Sequence, residues 1–403
     1  MPPQRPEVGM GKALVAHHYW ARVGGGELVV AAVAVSLERM GKDPVLVSPF
    51  YFDPAKYTEW FGIDLTRYEV VRGRFKLNMF GLYSRLITWM PVKDALKSYR
   101  PEVVFIDSSN YAPLIKDRNR GFKLIEYIHF PLEAYQTMQD PAVMERYSRF
   151  PMNLYWWGYM KLMKRYIRPD PFESADLVLA NSSWTADVVR QTYGEVPYVL
   201  NPPIPPNMEV VSFPRRFEER ARQVTMLGRF SEEKRYHWVI SELFPLLLKD
   251  VPDARLRIFG GIGGRTSRSY FERLSRMVSR LSLEGKVELI PNAPRSAINE
   301  SMDSSRAFLH AMINEHWGIA VAEAMARGIP VVAHRSGGTW SDILARGAYG
   351  MGFESAEEAS GALAKLLTDE EEWKRYSAPQ RMMDFTIDKF HARFSECVDK
   401  IRR

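Results

Sequence analysis

Cysteine is almost missing from this sequence. Cys397 stands alone among 403 residues, so neither a disulfide framework nor a thiolate zinc site can be built, and a reducing, cytoplasmic setting is expected. No apolar run approaches the roughly 18 to 20 residues that a membrane-spanning helix needs. Met1 to Trp20 also lacks the charged, apolar and small-residue order of a signal peptide, which points to a soluble or peripheral protein. Internal repeats, low-complexity tracts and the motifs of the common nucleic-acid-binding modules are absent too, so no nucleic-acid partner is expected. Nothing in the chain fixes an oligomeric state.

What is present is apolar and basic. At 46% hydrophobic residues the chain can fill two cores, and its length exceeds one ordinary domain. The formal charge of +7, with an isoelectric point near 9.2, would suit nucleic acid, anionic lipid or phosphorylated ligands alike. Its local distribution says more. Arg72, Arg74, Lys76, Arg85, Lys93, Lys97 and Arg100 face only Asp94 within residues 72–100, which makes this stretch a candidate contact surface.

Short apolar runs alternate with amphipathic segments, the pattern of βαβ units and parallel sheets. Strands are expected at residues 13–16, 44–47, 103–106, 124–129, 177–180 and 198–200, and again at 224–227, 255–259, 287–290, 307–312 and 330–333. Between the two sets, residues 201–222 hold Pro202, Pro203, Pro205, Pro206 and Pro214 and cannot sustain a helix or an inner strand. The expected division is a first domain over 1–205, a linker over 206–221, a second domain over 222–378, and a helical region over 379–403 that can return to the first domain. Two doubly wound α/β domains would face each other across a cleft, with ligands at the carboxyl ends of their strands.

The chemistry-bearing residues cluster at such ends. The segment from Asn314 to Pro330 runs Asn-Glu-His-Trp-Gly-Ile-Ala-Val-Ala-Glu-Ala-Met-Ala-Arg-Gly-Ile-Pro. It follows a strand, opens a helix near Gly318 and stops it at Gly328. Glu315 and Glu323 then bracket a helix start whose amides can meet an anion, on the order of 10 Å apart. Arg229 and Lys234 follow the strand at 224–227. Gly24-Gly25-Gly26-Glu27 opens the first helix, Gly260-Gly261-Ile262-Gly263-Gly264 follows the strand ending at Phe259, and His129 ends another. Each feature alone is more readily a solvated carboxylate pair, a surface cation, a turn or a structural histidine. Their shared address raises the functional reading of all five.

These residues resemble glycosyltransferase family 4, whose retaining GT-B enzymes carry this Glu-x7-Glu, a small-residue helix and a Pro-Val-Val strand. Within it the likeness extends to the GDP-mannose-dependent α-1,2-mannosyltransferases that extend the lipid-linked oligosaccharide of asparagine-linked glycosylation. The shared pieces are the Gly24 to Glu27 turn, Tyr127-Ile128-His129-Phe130-Pro131, Ala180-Asn181-Ser182-Ser183-Trp184-Thr185, Asn201-Pro202-Pro203, Phe230 to Lys234, Asn314 to Ile319, and Ala333 to Gly338. No match appears to those relatives' amino-terminal membrane anchor.

The resemblance implies a GT-B fold of two Rossmann-like domains, the first binding the acceptor and the second a nucleotide sugar. Glu315 would hold donor-sugar hydroxyls and Glu323 the ribose. Arg229 and Lys234 would clamp the diphosphate with the amides of Gly318, Ile319 and Ala320. His129 would lie beside the reacting carbon, and Gly25, Gly26, Gly260 and Gly261 would approach donor or acceptor. No Asp-x-Asp is present to hold a divalent ion, so neither a metal nor any other cofactor is expected beyond the co-substrate, GDP-mannose by subfamily likeness. The acceptor would be a glycan or lipid-linked, with peripheral contact to the cytoplasmic face of an anionic membrane. A UDP-sugar transferase of the same fold, a nucleotide-sugar epimerase and a noncatalytic anionic-lipid-binding subunit stay open at this point.

Overall fold

The computed structural model describes residues 11–21, 23–73, 83–107, 120–131, 148, 150–166 and 170–402. Arg74, Lys76 and Arg168, and the side chains of Lys164 and Tyr166, lie outside the described residues.

The chain divides into two compact units. One comprises residues 1–181, 185–207 and 386–403, the other 182–184 and 208–385. The break at 207/208 falls inside the proline-rich segment, and residues 379–385 cluster with the second unit rather than with the terminal helix.

The first unit is built on a seven-stranded parallel sheet of β1 (Lys12–Ala16), β2 (Asp43–Ser48), β3 (Glu69–Arg72), β4 (Val103–Ile106), β5 (Lys123–Ile128), β6 (Leu177–Ala180) and β7 (Tyr198–Val199). Their order is β3-β2-β1-β4-β5-β6-β7, so the strand order reverses between β1 and β4. Helix α1 (Gly25–Arg39) buries every residue from Leu28 to Ala34, and Leu37. A helix apolar on nearly all sides must be covered on both. The sheet covers one side, and the terminal helix, Ile387–Arg402, packs on it as well. From that helix Phe394, fully buried, reaches the ring of Phe105 in β4 at 6.3 Å.

Two more helices shape the surface of this unit. In α2 (Trp89–Tyr99), Val92 and Ala95 face inward while Lys93 and Lys97, with Arg100 just beyond, are exposed one helical face apart from them. In α3 (Met152–Tyr166), Tyr159, Met160 and Met163 are buried in the unit's own core and Trp156 packs against it. The aromatic face of this helix therefore points inward. A different stripe, Leu154, Trp157, Lys161 and Arg165, is exposed at spacings of three, four and four, with Phe150 exposed just before the helix.

The second unit carries a six-stranded parallel sheet of β8 (Ala221–Leu227), β9 (Arg255–Gly260), β10 (Val287–Pro291), β11 (Ser305–His310), β12 (Val331–His334) and β13 (Met351–Phe353), ordered β10-β9-β8-β11-β12-β13. Its reversal lies between β8 and β11. The helices that matter here are α4 (Arg265–Arg280), α5 (Arg295–Ser304) and α6 (Ile319–Ala326); α7 is the terminal helix, Ile387–Arg402. Small residues let α6 sink against the sheet, and Val321, Ala322, Ala324, Met325 and Ala326 are all buried. Gly328, at φ +70°, ends it. Among the described residues no helix is long and apolar enough to cross a membrane.

Because α7 completes the core of the first unit, Phe394→Ala should cost about 3–5 kcal/mol of that unit's stability. Urea denaturation followed by tryptophan fluorescence measures it; a loss under about 1 kcal/mol would mean that α7 only rests on the surface.

Candidate active site

Each sheet places a closely paired cation and carboxylate at the carboxyl ends of the two strands that flank its reversal, where doubly wound folds bind ligands.

In the second unit these strands are β8 and β11. Beyond β8, Phe230 is fully buried against Tyr236 and Phe271, which pins the loop to the core. Arg229 is consequently turned out, three-quarters exposed, with Glu233 3.6 Å away. The same loop returns Lys234 inward along Gly228, where a Cβ would come within 3.2 Å of the lysine stem. Beyond β11, Glu315 is held by its backbone. Its carbonyl accepts from the Gly338 amide at 2.8 Å. Gly337, at φ +74°, lies so close that a Cβ would sit 2.2 Å from the Glu315 carbonyl oxygen. Lys234 Nζ donates to Glu315 Oε2 at 2.6 Å, each side chain 16% exposed.

His310, the last residue of β11, lies 3.2 Å from the same oxygen and is buried. Burial on its own would raise the carboxyl of Glu315, but the charge of Lys234 and the contact with His310 hold it well below the usual carboxylate range. Burial lowers His310, which is therefore uncharged at neutral pH. Gly318 caps α6 in a left-handed conformation, φ +106°, and the amides of Val321 and Ala322 close on its carbonyl. The amides of Ile319 and Ala320 stand at the free start of the helix.

Glu323 is not joined to Glu315. Arg295, at the start of α5, takes both its oxygens at 2.8 and 2.9 Å. The two glycines at the end of β9, Gly260 within it and Gly261 just beyond, differ in role. A Cβ on Gly260 would lie 2.3 Å from the Gly228 carbonyl oxygen, so strand packing alone requires a glycine there, while Gly261 borders open space. The Gly261 carbonyl accepts from the Phe230 amide at 3.2 Å, and Asn292 Oδ1 accepts from the Ile262 amide at 2.9 Å.

In the first unit the reversal lies between β1 and β4, and the next residue of each strand is His17 and Asp107. His17 Nδ1 donates to Asp107 Oδ2 at 2.6 Å, and His129, just beyond β5, donates from Nε2 to the same oxygen at 3.0 Å. Gly26 lies against both rings, and Glu27 Oε1 is 3.7 Å from His17 Nε2. His17, His18 and Asp107 offer ligand atoms within 4.8 Å of one another. The 2.6 Å contact between His17 and Asp107 is a hydrogen bond, however, and is shorter than the separation of about 3 Å between neighbouring ligands of a zinc-sized ion.

The structure thus places Glu315, Lys234 and His129, which the sequence singled out, at these strand ends, beside His310, Arg295, His17 and Asp107, which it did not. Three of these four were detectable as the first polar residue ending an apolar run. Arg295 follows Pro294 in a polar stretch and carries no such signal.

A family model described as Glycosyltransferase Family 4 matches residues 23–207, and one described as Glycosyl transferases group 1 matches 208–381. Each half of the chain thus matches a glycosyltransferase model, and the chain is a glycosyltransferase. It resembles curated proteins named GDP-Man:Man(3)GlcNAc(2)-PP-Dol alpha-1,2-mannosyltransferase: the human one at 25% identity over 76% of this chain and 67% of its own length, and that of Eremothecium gossypii at 25% over 55% and 38%. The Dictyostelium discoideum protein of that name matches at 22% over 79% and 65%, so the chain spans between about a third and two thirds of these relatives. Among solved structures, sucrose-phosphate synthase from Thermosynechococcus elongatus aligns at a TM-score of 0.72 and 16% identity over 97% of this chain and 98% of that one. Anabaena Alr3699/HepE with UDP and glucose aligns at 0.67 and 17% over 97% and 100%. This glycosyltransferase therefore has the GT-B fold of two Rossmann-like units.

Lys234 and Glu315 are nearly buried, so removing the cation alone leaves a stranded carboxylate. Lys234→Met should destabilise the second unit by about 3–5 kcal/mol, and Lys234→Met with Glu315→Gln should recover most of that loss. Because the carboxyl of Glu315 is depressed, its contribution is complete above the ordinary carboxylate range and is lost only as pH falls through the lowered value. Denaturation of the three proteins at neutral pH tests the pair; equal losses in the single and double variants would mean that the charges are not coupled.

Proposed function

We propose that this enzyme transfers a mannosyl residue from GDP-mannose, with retention at the anomeric carbon, to a lipid-linked glycan. The observation that carries the reading is the Lys234–Glu315 pair beside the free amides of α6, in the unit matched by the group 1 model. The choice of mannose and guanine leans on the shared name of the relatives.

In this reading the diphosphate lies over the start of α6, where amides and the helix dipole favour an anion. An ammonium group has three donors. Lys234 can keep one on Glu315 Oε2 and turn the others to the phosphates, where negative charge grows as the bond from the anomeric carbon to the phosphate oxygen breaks. Glu315 is a positioning group for sugar hydroxyls, not a nucleophile. The acceptor hydroxyl attacks from the face the phosphate is leaving, and its proton passes to the departing phosphate oxygen. Arg229, free of any close packing, swings in to add a second cation. Glu323 takes the ribose hydroxyls, sharing or giving up its pairing with Arg295.

A lipid-linked acceptor calls for contact with a membrane surface. Leu154, Trp157 and Lys161 of α3, with Phe150 just before it, offer apolar groups beside a cation, the Lys161 ammonium lying 5.1 Å from the Trp157 ring centroid. Lys93, Lys97 and Arg100 add a basic face on α2. Each such cation near an anionic leaflet contributes about 1 kcal/mol.

Two measurements test the proposal. Titration with GDP-mannose, UDP-glucose and ADP-glucose should show tightest binding of GDP-mannose, with transfer to a lipid-linked glycan persisting in excess EDTA. Tighter UDP-sugar binding would replace the donor, and activity lost to chelator but restored by manganese would replace the cation mechanism. Flotation with anionic vesicles should show salt-sensitive binding that Leu154→Glu with Trp157→Glu abolishes. Binding unaffected by that pair would move the contact elsewhere, and no binding to any vesicle would favour a soluble acceptor.

A further inference from the structure

The reversal of the first sheet gathers His17, Asp107 and His129, which no sequence motif links. Asp107 Oδ2 is the common acceptor, 2.6 Å from His17 Nδ1 and 3.0 Å from His129 Nε2. A carboxylate only accepts, so each ring must carry its proton on the nitrogen that faces Asp107. For an uncharged His129 this leaves Nδ1 as a bare lone pair, an acceptor available to a ligand. Of the two rings only that of His129 reaches the surface, at 24% side-chain exposure against 3% for His17.

Asp107 itself is fully buried in its side chain, and its Oδ1 has no hydrogen-bond partner among the described residues. Such a carboxylate stays ionised only beside a cation. His17 is that cation. Burial works against its charge, but Asp107 and, more weakly, Glu27 outweigh burial and push its pKa up to about 10. The groups facing it are Asp107 after β4, Glu27 from α1, and its neighbours His18 and Trp20 on its own segment. Gly26 completes the arrangement, because a Cβ there would meet His129 Nε2 at 3.4 Å and His17 Cε1 at 3.5 Å.

We propose that Asp107, kept charged by His17, is the positioning residue that fixes His129 in the Nε2–H tautomer, so that Nδ1 accepts a hydrogen bond from a hydroxyl of the transferred sugar. The contact with sugar rests on the transferase reading above; the tautomer does not. Replacing Asp107 by asparagine presents either an amide oxygen or an amide nitrogen to two rings that both need an acceptor. His129 is then free to turn or to change tautomer, and a misplacement of about 1 Å costs on the order of 100-fold in rate.

Nitrogen-15 NMR of the full chain labelled at histidine, recorded across pH, tests the geometry without any substrate. Wild-type protein should show His129 protonated at Nε2 and not at Nδ1 at pH 8, and His17 protonated at both nitrogens; Asp107→Asn should abolish both signatures. In steady-state assays with GDP-mannose, Asp107→Asn should lower kcat about 100-fold with donor KM within about threefold. Added to His129→Gln it should cause little further loss, because the two residues act as one unit. A wild-type His129 carrying its proton on Nδ1, an Asp107→Asn enzyme with unchanged kcat, or losses that multiply in the double variant would each overturn the proposal. Should Asp107→Asn fail to fold, the wild-type spectrum and His17→Gln, which keeps one N–H for Asp107, still decide it. A wild-type protein with the expected tautomers but no transfer activity would count against the transferase reading alone.

Discussion

A cation beside a buried carboxylate offsets the cost of taking its charge out of water, and both sheets use that pairing at the same place. Where strand order reverses, the flanking strands end side by side with no crossover covering their ends, and polar side chains from both arrive within reach of each other. In the second unit the cation is Lys234 and the carboxylate Glu315; in the first they are His17 and Asp107. Each pair ties two chain segments far apart in sequence, and each sets the orientation of a third group, His310 or His129. The site is in this sense a by-product of satisfying charge at the one edge the fold leaves open.

The surrounding scaffold serves these pairs by steric exclusion more than by attraction. Gly337 admits the Glu315 backbone, Gly228 admits the Lys234 stem, and Gly26 admits two imidazoles. Phe230, by contrast, fills space, and its burial forces Arg229 and Lys234 to opposite fates. The glycine-rich appearance of these loops thus reports close packing of protein against protein at Gly260 and Gly337, and open space at Gly261.

Strands that form inner members of a parallel sheet were plain in the sequence because burial on both faces demands continuous apolar runs. β4 and β6 coincide with the expected residues 103–106 and 177–180. The two strands that gave no signal, β3 and β13, sit at sheet edges, are four and three residues long, and include Glu69, Arg72 and Gly352. The site divides in the same way. Glu315 and Lys234 stand inside motifs, whereas the importance of Asp107 depends on β1 and β4 being neighbours, a fact of topology that lies 90 residues beyond any local pattern. The inward turn of the α3 aromatic face was likewise undecidable from periodicity, which marks that a helix has two faces but not which of them meets the core.

The terminal helix α7 makes the order of synthesis matter. The first unit's strands are all complete by residue 199, yet the helix that packs on α1 and brings Phe394 to Phe105 begins only at residue 387, after the entire second unit. At about 5–20 residues per second, the ribosome needs on the order of 10–40 seconds to cover that interval. Throughout it the first sheet stands with one apolar flank uncovered, and by its end the second unit has every residue of its own core. The half of the molecule made first is thus the half that is finished last, and its nascent form is the one that needs shelter from aggregation.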